Sequence, residues 1–168
     1  MAKTILDIFR KILGKRMAVF LCSMIPIIEL RGAIPLGAGL GLPWWQNYIL
    51  CVIGNMLPVP FIYFFARKVL IWGSDKKHIG NLFQKILEKG EHGGQKLVKR
   101  SGRGGLFVAL MLFVGIPLPG TGAWTGTLAA SFLNMGIKST AASVSLGVLI
   151  AGTIMYLASN GFFSIIGL

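Results

Sequence analysis

Two long hydrophobic blocks dominate the chain, and a shorter polar segment separates them. The first block runs from about residue 17 to 66 and the second from about 104 to 168. Because a helix needs about 20 residues to cross the hydrocarbon core of a bilayer, each block holds more than one membrane segment. Prolines and glycines interrupt the first block at Pro26, Gly32, Pro35, Gly37, Gly39, Gly41, Pro43, Pro58 and Pro60. Such breaks predict half-helices or re-entrant helices, since the backbone groups they free need cover from protein or water.

The second hydrophobic block repeats the design of the first. Each block has an apolar lead, a break rich in Pro and Gly, a return of small residues and then a longer helix. Sliding one half over the other brings Pro26 onto Pro117, an offset of 91 residues. Paired broken and continuous segments are typical of transporters built from repeats. We therefore predict two pseudo-repeats, residues 17–72 and 104–168, each a broken hairpin followed by a transmembrane helix.

Two basic segments have an amphipathic pattern. Apolar residues recur at helical spacing in residues 1–16 and again in residues 73–103, with Lys and Arg on the other faces. This pattern is typical of helices that lie in the membrane interface. The predicted fold is an all-α integral membrane protein with one membrane domain, residues 1–168, that carries these two interfacial elements.

Composition supports a membrane location. The chain has 168 residues, of which 54% are hydrophobic and 13% charged, and its mean hydropathy is +0.73. A soluble domain of this size cannot bury so much apolar sequence. The net charge of +12 comes mainly from the two basic segments, and no nucleic-acid-binding motif accompanies them. Attraction to anionic headgroups explains the charge, so we expect membrane lipids as partners, no nucleic acid, and a multi-pass protein of the cytoplasmic membrane.

The charge pattern and the repeat pattern disagree about topology. The positive-inside rule predicts that both basic segments are cytoplasmic, so the first half should cross the membrane an even number of times. A re-entrant hairpin and one full span cross only once and would put residues 73–103 outside. Two alternatives restore an even number: the broken segment crosses as two half-helices, or the chain turns again near Pro58 and Pro60. The sequence leaves the number of crossings open.

One pair of ionisable residues stands alone in the first block. Glu29 is the only acid between Asp7 and Asp75, and Arg31 is the only base between Arg16 and Arg67. Ionisable groups at membrane depth usually line a polar cavity or a substrate path. Glu29 is therefore a candidate proton carrier, and the Arg31 guanidinium suits phosphate or carboxylate. Together they suggest binding of an anion in exchange for a proton, whereas the alternative is an ion pair that only fixes a broken helix.

The second break offers hydrogen-bond donors without charge. Its glycines expose backbone N–H groups, Thr121 adds a hydroxyl, and Trp124 can form an apolar wall. Exposed amides at the start of a half-helix favour anions. The alternative is close helix packing through the small residues Gly122 and Gly126, a spacing that would also allow a homodimer. The predicted substrate-binding set is Glu29, Arg31, Pro35, Asn55, Pro117, Pro119, Gly120, Thr121, Gly122 and Trp124, and for Asn55 a hydrogen bond between helices is the alternative.

No catalytic set is visible. The serines have no neighbouring base, and His78 and His92 lie in the second basic segment without ligand partners. Cys22 and Cys51 lack the spacing of a redox or metal motif and suit buried apolar positions. We expect no enzymatic activity, no metal and no cofactor.

Both breaks resemble the signatures of a known family. The stretch 26–37, PIIELRGAIPLG, resembles the first signature of the small multidrug export protein family, and 117–126, PLPGTGAWTG, resembles its second. That family is in turn similar to the DedA-like membrane proteins. The likeness implies two re-entrant hairpins that meet from opposite leaflets, and gradient-driven translocation of a lipid carrier such as undecaprenyl phosphate. Glu29 is similar in placement to the acid of the first DedA hairpin, but Gly115 and Gly122 stand where the second usually bears arginines.

The predicted function is that of a transporter or flippase for an amphipathic anion, most notably a phosphate-bearing lipid. Arg31 would bind the anion, Glu29 would take the proton, and the amides of residues 120–126 would complete the site. The first alternative is export of lipophilic cations, with Glu29 as counter-charge. The second is a structural membrane protein in which the charged pair only fixes the fold.

Overall fold

The computed structural model describes residues 14–75 and 80–166, and these are helical with short connections and no strand. The all-α prediction is confirmed for this part of the chain. Most of the predicted N-terminal amphipathic helix, residues 1–13, lies outside the described residues. The helices are α1 (residues 14–24), α2 (Glu29–Gly39), α3 (Trp44–Met56), α4 (Pro58–Ser74), α5 (Gly80–Gly115), α6 (Ala123–Phe132) and α7 (Ile137–Ile166).

Within the described residues, two stretches are long and apolar enough to cross a membrane. One is Trp44–Ser74, in which α3 and α4 form a run of 31 residues whose most apolar 18-residue window has a mean hydropathy of 2.0. The other is Ile137–Ser159 within α7, with 23 residues and a value of 1.9 for the corresponding window. Leu57 has helical angles (φ −60°, ψ −40°) and Pro58 opens α4, where its missing N–H costs no helical hydrogen bond. The chain therefore continues past Pro58, and the second turn considered there is wrong.

The first break folds α1 and α2 into a helical hairpin. Lys15 Nζ donates a hydrogen bond to the Leu40 carbonyl oxygen at 2.8 Å, which joins the start of α1 to the end of α2. α2 has 11 residues, so this arm is about 16 Å long. The tip is strained, because Ile27 (φ 80°) and Glu29 (φ 43°) have left-handed backbone angles. α3 then returns beside α2.

The second break forms another hairpin. Gly102 (φ 69°, ψ 176°) interrupts α5 and separates residues 80–101 from the apolar helix 103–115. Ser143 Oγ donates to the Phe107 carbonyl oxygen at 2.6 Å, and Gly115 packs against Ile150, so α7 runs parallel to residues 103–115. The two arms of this hairpin are residues 103–115 and α6. Since α6 ends just before α7 begins, the open end of the hairpin lies beside the start of α7.

The two hairpins open at opposite ends of the bundle. α7 is antiparallel to α3, because Tyr48 Oη donates to the Leu149 carbonyl oxygen at 2.9 Å and the rings of Trp44 and Tyr156 lie 5.7 Å apart. The first hairpin opens beside Trp44, near the end of α7. The tips of the two hairpins therefore meet at the middle of α7.

Contacts of α4 support the same arrangement. Tyr63 Oη donates to the Met135 carbonyl oxygen at 2.5 Å, and Ser131 Oγ donates to the Tyr63 carbonyl oxygen at 3.1 Å. Hence α4 runs along α6 to the open end of the second hairpin. Lys15 and Arg103 consequently lie at opposite ends of the helix bundle. That geometry disagrees with the expectation that both basic segments share one side.

Candidate functional site

The Glu29 side chain extends from the tip of the first hairpin to the start of α6. The backbone N–H of Trp124 donates to Glu29 Oε1 at 3.1 Å, and Glu29 is buried, with 6% of its surface exposed. The first N–H groups of a helix have no partner within the helix, and the helix dipole makes that end positive. The carboxylate of Glu29 therefore occupies a place that favours an anion.

Arg31 also reaches the second break. Its guanidinium Nη2 donates to the Thr121 carbonyl oxygen and, at 2.8 Å, to Thr121 Oγ1. Glu29 and Arg31, next to the tip of the first hairpin, thus both bind the backbone or the hydroxyl of the second break. The two breaks, which are about 90 residues apart in sequence, form one site.

Gly122 allows this close approach. Its backbone angles (φ 140°, ψ −174°) belong to a region that only glycine occupies readily. A Cβ at this position would overlap Glu29 Oε2. Gly122 was predicted to expose a backbone amide. In the structure a glycine is needed at this position because any side chain would displace the Glu29 carboxylate.

Thr121 and Trp124 hold the second break in place. Thr121 Oγ1 lies 2.8 Å from the carbonyl oxygens of Ile116 and Leu118, so its hydroxyl closes the turn between α5 and α6. The indole Nε1–H of Trp124 donates to the Met24 carbonyl oxygen at 3.1 Å. Trp124 was predicted as an apolar wall, but it ties α6 to the last turn of α1 through a polar contact.

A small recess lies beside the carboxylate, with room for about one water molecule. Polar side chains of Glu29, Arg31 and Asn55 line it, and the remaining lining is apolar or backbone. The other lining residues are Leu30, Val114, Gly122, Ala123, Val148 and Ala151. Asn55 is 1% exposed, and its Oδ1 has no hydrogen-bond partner among the described residues. This oxygen therefore does not make the hydrogen bond between helices that was the alternative prediction for Asn55.

The remaining predicted residues lie away from the recess. Pro35 is inside α2, while Pro117, Pro119 and Gly120 lie in the turn between α5 and α6. Pro119 and Gly120 are exposed and Pro117 is half-buried. The structure therefore brings together Glu29, Arg31, Asn55, Thr121, Gly122 and Trp124 and leaves these four outside the recess. Among the residues that the structure describes, no group of three His, Cys, Asp or Glu side chains could hold a metal ion.

Two parts of the site were not predicted from the sequence, the Met24 carbonyl oxygen and the α7 wall of the recess. Met24 lies in the last turn of α1, where carbonyl groups lack helical partners and need a donor from elsewhere. The coming proline break was a usable signal for such an orphan acceptor. Val148 and Ala151 gave no signal, because small apolar residues are common throughout α7.

Comparison with known proteins identifies the family. Residues 29–154 match the model of a family described as "Putative small multi-drug export protein". This range begins at Glu29 and includes Arg31 and the whole of the second hairpin tip. No curated protein and no solved structure matches the chain. The likeness to DedA-like proteins stays a prediction. Since the match covers well over half of its length, the chain belongs to the small multi-drug export protein family.

Proposed function

We propose that the protein is a membrane transporter that moves an amphipathic anion, most notably a phosphate-bearing lipid, together with a proton. Its family suggests a membrane exporter. The observation that carries the proposal is the convergence of the α6 N-terminus and the Arg31 guanidinium at the two hairpin tips. In this structure the carboxylate of Glu29 occupies the position at the helix end that a substrate anion would take.

The charges of the site favour an anion over a cation. Glu29 and Arg31 are the charged residues that line the recess, and a helix N-terminus adds about half a positive charge. With Glu29 ionised the site carries about +0.5, and with Glu29 protonated about +1.5. Protonation therefore strengthens anion binding, and by linkage the anion strengthens proton binding. The anion and the proton would therefore cross the membrane in the same direction, whereas the sequence suggested that one is exchanged for the other.

A bilayer placed across α3–α4 and α7 would put the site near its midplane. The arms of the first hairpin, about 16 Å each, reach about half of a 30 Å hydrocarbon core. The hairpins would then be re-entrant from opposite leaflets, and the protein would be multi-pass in the cell membrane. Substrate sites of repeat-built transporters lie at this depth, between discontinuous helices.

The small size of the recess favours an amphiphile. A space for about one water molecule accommodates part of a phosphate group but not the body of a drug-sized molecule. The apolar part of the substrate would remain in the surrounding lipid. Arg31 would form a forked contact with the phosphate, and the amides at the start of α6 would take its remaining oxygens.

A liposome assay with two variants tests this function. The purified protein is reconstituted, and movement of a fluorescent phosphate-bearing lipid between leaflets is measured from pH 5 to 8. We expect Arg31→Ala to reduce the rate at least tenfold, because the anion loses its fixed counter-charge. Glu29→Gln should move the lipid at a rate that no longer depends on pH.

The matched control is Arg103→Ala, which removes an exposed arginine far from the recess and should retain the wild-type rate. Wild-type rates in both folded site variants would contradict the proposed mechanism. If wild-type protein moves no lipid, and the variants only lower the melting temperature, the structural alternative holds.

Export of lipophilic cations is the second candidate, and the family description favours it. A cation would bind the ionised form of Glu29, so its binding should weaken as pH falls, and Arg31 should be dispensable. The same liposomes with tetraphenylphosphonium separate the two candidates, because the sign of the pH dependence is opposite.

A further inference from the structure

Asn55 is a buried polar residue that the fold leaves without an evident structural role. Its side chain is 1% exposed, its Oδ1 has no partner among the described residues, and it lines the recess that also contains the Glu29 carboxylate. A buried amide oxygen without a hydrogen bond is unfavourable, and native proteins usually satisfy such groups with an ordered water. The recess beside Asn55 has about the space that one water needs.

Another asparagine of α3 shows what a structural role requires. Asn47 Nδ2 donates to the Ile34 carbonyl oxygen at 2.8 Å, and Asn47 Oδ1 accepts from Cys51 Sγ at 3.4 Å. Nδ2 of Asn47 therefore has a partner on α2, and its Oδ1 has a partner one turn further along α3. Asn55, two turns further along the same helix, lines the recess, and its buried Oδ1 has no partner among the described residues.

We propose that a water molecule in this recess bridges Asn55 Oδ1 and the Glu29 carboxylate and delivers the transported proton to Glu29. One hydrogen of the water would bind Asn55 and the other would bind Glu29. When a proton arrives, the hydronium at this position transfers it to a Glu29 oxygen, which leaves a water and a neutral carboxyl group. The proton-delivery step rests on the proposed function, whereas the bridging water does not.

A monovalent metal cation fits the recess less well than water. Asn55 and Glu29 supply the only side-chain oxygens of its lining, and the Arg31 guanidinium opposes a second positive charge. The lining residues from α5, α6 and α7 carry no titratable side chain. Cys22 on α1 and Cys51 on α3 are titratable and belong to adjacent helices, but neither lines the recess. Protonation there is therefore governed by Glu29 with Arg31 beside it.

Infrared difference spectroscopy of the purified protein tests the bridge without a transport assay. Acidification should produce a protonated carboxyl band that disappears in Glu29→Gln, which assigns it to Glu29. In Asn55→Leu the bridging water loses one of its anchors, so this band should shift to higher frequency. Exchange of H₂O for D₂O should then alter it less than in the wild type.

Gln46→Leu is the matched control. Gln46 is on the same helix, and its Oε1 is likewise buried without a partner among the described residues, but it does not line the recess. Its substitution should leave the Glu29 band unchanged. Asn55→Ala serves as the second variant if Asn55→Leu fails to fold.

The outcomes separate the two proposals. A shifted band together with at least a tenfold loss of proton flux in Asn55→Leu liposomes supports the relay. An unshifted band in both Asn55 variants overturns it, whatever the transport assay shows. A shifted band in a protein that moves no anion overturns the proposed function and leaves the bridging water in place.

Discussion

The two hairpin tips contribute different things to the same site. The first supplies charged side chains, Glu29 and Arg31, whereas the second supplies backbone groups, the Thr121 hydroxyl and two glycines with positive φ, Gly120 and Gly122. The Glu29 carboxylate can reach the start of α6 because Gly122 has no Cβ in its way. The asymmetry is therefore a requirement of the contact, because a second pair of long side chains would fill the space that Gly122 leaves open.

The hairpins also differ in the end at which they open. Lys15 closes the first hairpin at one end of the bundle, and the Phe107 carbonyl oxygen accepts a hydrogen bond from Ser143 toward the other end. The first prediction tests this difference and has the largest expected effect. Arg16→Cys and Arg103→Cys, two exposed positions, should react with a membrane-impermeant maleimide from opposite sides of the membrane.

The background for this labelling is low, since Cys22 and Cys51 are both 0% exposed. They can also be replaced by alanine before the new cysteines are introduced. Labelling of both positions from one side would mean that α3–α4 does not cross as a single run, and it would restore the arrangement that the positive-inside rule predicts.

The second prediction concerns the glycines of the second tip. Gly122→Ala combines a backbone conformation that alanine rarely adopts with overlap on Glu29, so we expect a loss of about 2–5 kcal/mol in the free energy of unfolding. Gly120→Ala adds only backbone strain, because nothing lies within 4 Å of its Cβ, and should cost about 1 kcal/mol. Unfolding followed in detergent gives both values.

Gly104→Ala is the control for this series. Gly104 is helical and open, so alanine should raise stability by about 0.5–1 kcal/mol. Equal losses at Gly120 and Gly122 would show that strain alone matters and that the contact with Glu29 contributes little.

The sequence predicted the fold well where the structure of a segment depends on the composition of that segment alone. The breaks at Pro26 and Pro117 and the long helix α7 follow from local composition, because proline and glycine end helices and apolar runs continue them. Pro58 was harder, since proline at the first turn of a helix permits the chain to continue. A sequence alone does not distinguish that position from a turn.

The sequence predicted the charged residues of the site but not the contacts that they make. Glu29 and Arg31 were visible because charge is rare in apolar sequence. Their partners depend on how two hairpins, 90 or more residues apart, meet at their tips. Trp124 shows the limit: its ring suggested an apolar wall, whereas its amide and indole both donate hydrogen bonds to the first hairpin.

The third prediction has the smallest expected effect and concerns the hydrogen bond between Arg31 and Thr121, which joins the two tips. Thr121→Val keeps the shape of the side chain but removes the hydroxyl that accepts from Arg31 and closes the turn on Ile116. We expect a loss of about 1–2 kcal/mol in the free energy of unfolding. Thr125→Val, in the first turn of α6, removes a hydroxyl that makes only a long hydrogen bond of 3.4 Å to the Gly122 carbonyl oxygen, and it should change stability by less than about 0.5 kcal/mol.

A double-mutant cycle decides whether this loss comes from the hydrogen bond between Arg31 and the Thr121 hydroxyl or from the hydroxyl's contact with Ile116 within the turn. Arg31→Ala and Thr121→Val should be coupled by about 1 kcal/mol, because each single change removes the same hydrogen bond. The Arg31 contact with the Thr121 carbonyl oxygen survives in Thr121→Val, so the coupling should be smaller than the full effect of Arg31→Ala. Additive effects would mean that the hydroxyl only shapes the second tip, and that the first tip is held there by Glu29 and the Thr121 carbonyl group.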